Sequence, residues 1–508
     1  MSHVDNKRIA KNTAFLYVRM LLSSAISLYT SRVVLDTLGV RDFGIYNLVG
    51  GIVTILAFLN GTMSMATMRF LNYEMGLDNP DRLKGTFGTS LSIHALIAVI
   101  IVIAAETVGL WYVNNELVIE PQRLVAANWV YQFSILTTVV TVMQIPFTAA
   151  IMAHEKMNVY AYISLCYNFL KLIIALLLVW IPSFDNLIVY GFLFMLISSI
   201  IGLSYLWYSV AKFRECRGRP RFDRGQAKKM LKYSGWDVFG NLAYTSRVQG
   251  ANIILNNFGG TVLNAAAAIT TQVVGTLQYF AQSVISAFRP QVVQLYARKE
   301  YDDMLRLLYN AGKFASLLMA LAVVPVFVEM PSLLSIWLKD VPDWTVTFCR
   351  LCLLTAIGEL LKMSVDMGIH ATGRIFRLSF ITGAMLILEL PAMYFLLKYY
   401  QWPPVVYAIH LGWIFVIVFA ETLILKHQLS EFSIMRFWRT SAIKPALVLA
   451  AVLIGCMRLE PYVGQSFGAF VVIGVVSTVV ILSVSYVLCL DASTRRTIRD
   501  KISAKIHR

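Results

Sequence analysis

The sequence predicts an all-α integral membrane protein of about fourteen transmembrane helices. Three observations predict it. Of the 508 residues, 58% are hydrophobic and only 14% charged, with a mean hydropathy of +0.67; soluble domains sit near half apolar and a quarter charged. The apolar runs are long enough for a helix to cross a bilayer, roughly 20 residues each, rather than the roughly ten-residue alternations of a membrane barrel. The basic residues, finally, fall unevenly about those runs.

In chain order, the first run spans 12–34. The stretch before it, "MSHVDNKRIAK", is polar and basic, and the run itself is too long for a signal-peptide core, so no cleavable signal is expected. Runs 43–66, 87–110, 124–148, 158–181 and 187–211 complete a set of six. The basic stretch 212–233 separates it from a second set: 237–258, 266–288, 314–337, 345–369, 377–397 and 405–425. Runs 445–459 and 467–489 form an extra pair, the former the shortest of all. In the tail, Ile498, Ile502 and Ile506 are spaced four apart among basic residues, which suits a helix lying on the inner leaflet. The expected organisation is an N-terminal lobe (1–211), a basic cytoplasmic linker (212–236), a C-terminal lobe (237–427), and a helix pair with a basic tail (428–508).

Charge distribution tests this map. With the N-terminus inside, and the edge residues Arg377 and Arg458 counted with the adjoining loops, 33 of the 44 Lys and Arg fall in inner segments, five in outer loops and six within helices. Both termini are therefore expected in the cytoplasm. The net charge of +16 then belongs to the inner membrane face, where anionic lipids are its partners, and not to nucleic-acid binding. Leu35, Asp36 and Gly39 match Leu255, Asn256 and Gly259 at an offset of 220, which also aligns Arg69 with Arg289. Two six-helix lobes entering from the same side make a parallel repeat.

Chemistry is sparse. There is no G-x-x-x-x-G-K-[ST] phosphate loop and no H-E-x-x-H zinc motif. The longest outer loop, 111–123, leaves no room for a catalytic domain. Cys349 and Cys352 form C-x-x-C without a second pair, which reads as packed thiols rather than a redox or zinc site. A transporter rather than an enzyme is expected, with no bound cofactor.

The charges inside the helices are the informative residues, because an ion at mid-bilayer costs at least a few kcal/mol. Lys171 and Arg247 lie about 20 Å and 15–18 Å along their helices, at ~1.5 Å per residue. Arg19 is shallower, and snorkelling to the interface is open to it, as to Arg32 and Arg350. Neither Lys171 nor Arg247 has an acid at i±3 or i±4, so each awaits a partner: an acid on another helix, or a substrate anion. Glu359, Lys362 and Asp366 share a face at i, i+3 and i+7; a structural ion network and an ion or proton coupling site are both open readings. Thr271, Gly275, Gln278, Gln282 and Ser286 form a polar stripe, read either as helix packing or as a cavity wall suited to hydroxyl-rich ligands. Pro146, Pro325 and Pro391 fall inside helices, where kinks are expected.

The stretches "LYTSRVVLDTLGVRDFGIYNLVGGIV" (28–53), "FLNGTMSMATMRFLNYEMG" (58–76) and "GIHATGRIFR" (368–377) resemble the polysaccharide-transport branch of the multidrug/oligosaccharidyl-lipid/polysaccharide exporter superfamily, the Wzx-type flippases. The resemblance extends over essentially the whole chain. It implies a MATE-like pair of lobes around a central cavity, in the cytoplasmic membrane of a bacterium. The implied cargo is an undecaprenyl-diphosphate-linked oligosaccharide, an O-antigen, capsule or exopolysaccharide unit. A cationic cavity is expected for it, a role that Arg19, Lys171 and Arg247 fit, with Gln278 and Gln282 on the wall. The mixed charge of Glu359, Lys362 and Asp366 departs from that pattern and leaves the coupling ion, H+ or Na+, open. The polysaccharide polymerase and chain-length machinery are candidate partners. A cation or drug antiporter of the same superfamily and a non-catalytic or enzymatic component of sugar-lipid assembly are the competing readings.

Overall fold

The computed structural model describes residues 6–56, 63, 67–68, 70–71, 74–75, 79–154, 156–178, 180, 185–217, 222–464 and 466–489. They are almost wholly helical, with no strand among the described residues. The helices are α1 (Asn6–Leu56), α2 (Pro80–Ala104), α3 (Leu110–Asn115), α4 (Leu124–Ala153), α5 (Met157–Leu178), α6 (Asn186–Lys212), α7 (Arg224–Ala297), α8 (Tyr301–Val328), α9 (Met330–Trp337), α10 (Thr345–Thr372), α11 (Phe376–Tyr400), α12 (Val405–Gln428), α13 (Ile434–Phe437), α14 (Lys444–Val463) and α15 (Phe467–Leu488). Ten stretches among the described residues are long and apolar enough to span a membrane. α10 is also long enough, at 28 residues, but carries Arg350, Glu359, Lys362 and Asp366. Outward faces are apolar: on α2, Leu96, Val99, Ile100 and Ile103 are all more than half exposed. Water would not tolerate such a continuous apolar face; lipid does.

α1 and α7 each hold two predicted spans separated at one glycine. Gly39 has φ 77°, ψ 167° and Gly260 has φ 64°, ψ −161°. That region of backbone space is essentially closed to residues with a Cβ. The two breaks are equivalent in conformation, but their glycines stand 221 residues apart, one more than the offset of 220 in the sequence match. The correct partner of Gly39 is Gly260, not Gly259. Gly44 lies so close to the Thr261 carbonyl that an added Cβ would sit 1.9 Å from its oxygen.

Helix α7 starts at Arg224, inside the stretch expected as linker. Asp223 Oδ1 accepts from the amides of Gly225 and Gln226 at 2.7 and 3.1 Å, which caps the helix. Ala227 and Met230 on its first turns are buried with Ile97, Ile101 and Val142. The short run 445–459 extends to a 30-residue span, Ile434–Val463, because a π-helical segment at Trp438–Ile443 carries the helix through polar Thr440 and Ser441. Helices α4 and α11 continue past Pro146 and Pro391. Residue Arg69 and the tail 490–508 lie outside the described residues.

By packing density the chain forms two compact units. The first is Met1–Ile269 with Leu386–Pro403; the second is Thr270–Met385 with Pro404–Arg508.

Candidate translocation site

Lys171 belongs to the first unit. α5 presents it half-buried in a cleft with Ser27, Thr30, Ser31, Asn168 and Tyr190. Its Nζ stands 4.9 Å from the Tyr167 ring centre and 5.0 Å from that of Phe194. Ring faces attract a cation by their quadrupole but leave its charge uncompensated. Among the described residues no carboxylate lies within 4.0 Å of Lys171. Arg247, in the same unit, is similar. Its guanidinium carbon is 5.7 Å from the Tyr244 ring centre, and its buried Nε has no hydrogen-bond partner among the described residues.

The remaining expected cavity residues are placed as follows. Arg19 lies within α1 and Gln282 within α7, but their side chains lie outside the described residues. Gln278 is half-buried. Along the same stripe Thr271 is exposed, and a Cβ on Gly275 would meet nothing within 4 Å. Among the described residues nothing packs against Gly275.

The second unit holds the ion cluster. Lys362 Nζ donates to Asp366 Oδ2 at 2.6 Å and lies 3.3 Å from Glu421 Oε1 on α12. Thr382 on α11 donates to the same Glu421 oxygen at 3.1 Å. Glu359 faces His410 Nε2 at 3.6 Å, so one end of the triad is met by α12 as well. Glu421 is fully buried. Glu421 Oε2 and Asp366 Oδ1 are buried without a hydrogen-bond partner among the described residues. Among the described residues Lys362 is thus met by two carboxylates, Asp366 and Glu421, an acidic surplus in a place where uncompensated charge is costly.

The sequence reading did not assign Glu421, His410 or Thr382 to this cluster. A signal existed for two of them: residues 410 and 421 are eleven apart, within about 20° of one helix face at 100° per residue. Nothing local pointed to Thr382, which arrives through tertiary packing.

Outside the spans, Arg123 grips two helices. Its Nε donates to Asp42 Oδ1 at 2.8 Å and its Nη1 to Asp185 Oδ2 at 2.6 Å. Asp185 also caps α6 through the Leu187 and Ile188 amides. Burial pushes the Asp185 carboxyl up, but Arg123 and those amides outweigh it and hold it below the usual carboxylate range. On α10, Arg350 donates to the terminal carbonyls of α8, Phe327 O at 2.9 Å and Val328 O at 3.2 Å. Cys349 and Cys352 are free thiols, and Cys349 packs 3.5 Å from Thr270 Oγ1.

The fold is shared with several solved membrane proteins. It is similar to the lipid II flippase MurJ in an inward closed conformation, with a TM-score of 0.68 and 11% identity over 94% of this chain and 99% of that one. An inward-facing multidrug resistance MATE family transporter of the MOP superfamily matches with a TM-score of 0.65 and 13% identity, covering 83% of this chain and all of that chain. The MATE multidrug transporter DinF-BH matches with a TM-score of 0.63 and 12% identity, covering 84% of this chain and 96% of that one. No family model matches the sequence, and no curated protein matches it.

Proposed function

We propose that the chain is a flippase that carries an undecaprenyl-diphosphate-linked oligosaccharide from the inner to the outer leaflet of the cytoplasmic membrane. The observation that carries this reading is Lys171, a membrane-embedded cation that meets aromatic rings and, among the described residues, no carboxylate. Such a group is costly when empty, and an anion offsets the cost on arrival through charge-assisted hydrogen bonds. Arg247 supports the same reading with its unsatisfied Nε. The two six-helix lobes, 1–211 and 237–427, would rock about the bound cargo to expose it on alternate sides.

The surplus of carboxylates around Lys362 supports coupling to H+ or Na+, since such a surplus invites a cation. It also favours a second reading, a cation antiporter; Lys171 and Arg247, which meet no carboxylate among the described residues, oppose that reading. The test is transport of a lipid-linked oligosaccharide by reconstituted protein and surface glycan in cells. Lys171→Ala should abolish both while the melting temperature holds. Normal surface glycan in that variant would overturn the assignment.

A further inference from the structure

A second, uncharged cavity adjoins the Lys171 cleft. It holds about 300 Å³ between α1, α4, α6 and Gln249 of α7. That is the lower end of ligand-sized cavities, roughly 300–1,000 Å³, and suits a single small ring better than an oligosaccharide. None of the twelve residues around it is charged.

Its polar atoms are committed in a particular sense. Asn47 Nδ2 donates to Phe43 O at 2.7 Å, Thr54 Oγ1 to Gly50 O at 2.9 Å, and Ser134 Oγ to Val130 O at 2.8 Å. The Thr54 and Ser134 hydroxyl hydrogens are consumed within their own helices, which leaves those oxygens' lone pairs as acceptors beside the hydroxyls of Thr137 and Thr138. Gln249 is the reverse. Its Oε1 accepts from Asn252 Nδ2 at 3.0 Å, which leaves its own amide donors. Gly51 permits this arrangement, because a Cβ there would come 2.4 Å from Gln249 Oε1.

The rest of the wall is aromatic, and it is shared. Phe194 bounds this cavity and also stands 5.0 Å from Lys171 Nζ. Tyr46 packs against Phe194 and against Tyr190 of the lysine cleft, with ring centres 6.0 and 4.8 Å apart. The neutral cavity and the cationic cleft are two rooms with one aromatic partition.

A ligand that fits such a room is uncharged, donates many hydrogen bonds and lays an apolar C–H face on a ring. A sugar ring has all three properties. A hydrophobic cation would find no carboxylate there. Resting on the flippase reading above, we propose that this cavity is a carbohydrate subsite that takes one neutral pyranose of the cargo, while Lys171 across the partition holds an anionic group of the same molecule.

The test uses the full chain in nanodiscs and two probes, farnesyl diphosphate and farnesyl diphosphate bearing one N-acetylglucosamine. Wild-type protein should bind the sugar-bearing probe about tenfold more tightly, the value of one or two added neutral hydrogen bonds. Gln249→Leu should erase that gain and leave farnesyl diphosphate binding unchanged. Gly50→Leu should do the same by filling the room; a Cβ at Gly50 approaches only Ser134 Oγ, at 3.9 Å. Lys171→Ala should weaken both probes. Equal wild-type affinity for the two probes, or equal effects of Gln249→Leu and Gly50→Leu on both, would overturn the subsite and leave the flippase reading intact. Failure of wild type to bind either probe would overturn both.

Discussion

Removing Lys362 would leave Asp366 and Glu421 buried with only each other and Thr382. Breaking a buried pair from one side costs roughly 3–5 kcal/mol, because the stranded charge has no water to return to. Lys362→Ala is therefore expected to lower the melting temperature and abundance sharply, and adding Glu421→Gln should restore much of the loss. Lys171→Ala strands nothing and should leave the melting temperature at or above the wild-type value. Equal melting temperatures for Lys171→Ala and Lys362→Ala would contradict this division of roles. Sequence alone showed half of it. The positions flanking Lys171 on its own helix (Tyr167, Asn168, Ile174 and Ala175) are uncharged, and the depth of the lysine follows from counting. Phe194, which supplies its second ring, comes from another helix, and no local pattern points to it. The same limit hid Glu421 as the partner of Lys362.

At the scale of the helix, the glycines at 39 and 260 govern where spans end. Run lengths predicted a break between 34 and 43 and another between 258 and 266, and both breaks exist. The sequence could not choose between Gly259 and Gly260, because both are glycine and only the backbone angle distinguishes them. Gly260→Ala should destabilise the protein by about 1–3 kcal/mol, the cost of forcing a Cβ into this region. Gly455→Ala, in mid-helix with nothing within 4 Å, should be neutral or gain by about 1 kcal/mol in helix propensity. Urea or thermal unfolding of the two variants decides it; equal stability would show that the turn at 260 relaxes freely. The π-helical segment before α14 was illegible for a different reason. Its polar residues interrupt the apolar run, while the helix continues by widening one turn.

At the scale of the whole chain, hydropathy and charge made the membrane class and the spans legible, since lipid forbids most alternatives. What they could not reveal was which distant helices meet. Orientation is open to direct measurement. A reporter fused after Arg224 is expected in the cytoplasm, and one fused after Trp402 outside, on the strength of the uneven Lys and Arg distribution. Both reporters on one side would dismantle the map of spans.

The ammonium of Lys171, with no carboxylate beside it among the described residues, also has an electrical consequence. In the proposed cycle water reaches it from one side at a time, and the voltage drop falls across whichever side is closed. A stationary cation then samples the outside potential in one state and the inside potential in the other. With a negative interior, the empty inward-open state is favoured by up to about 2.3 kcal/mol per charge for each 100 mV. A bound lipid-linked diphosphate offsets the charges of Lys171 and Arg247 together, so the empty return rather than the loaded crossing becomes the voltage-sensitive half of the cycle. A voltage step on reconstituted, cargo-free protein should displace a transient charge that shrinks when a lipid diphosphate is added. The same transient undiminished in Lys171→Ala would place the field-sensing group elsewhere.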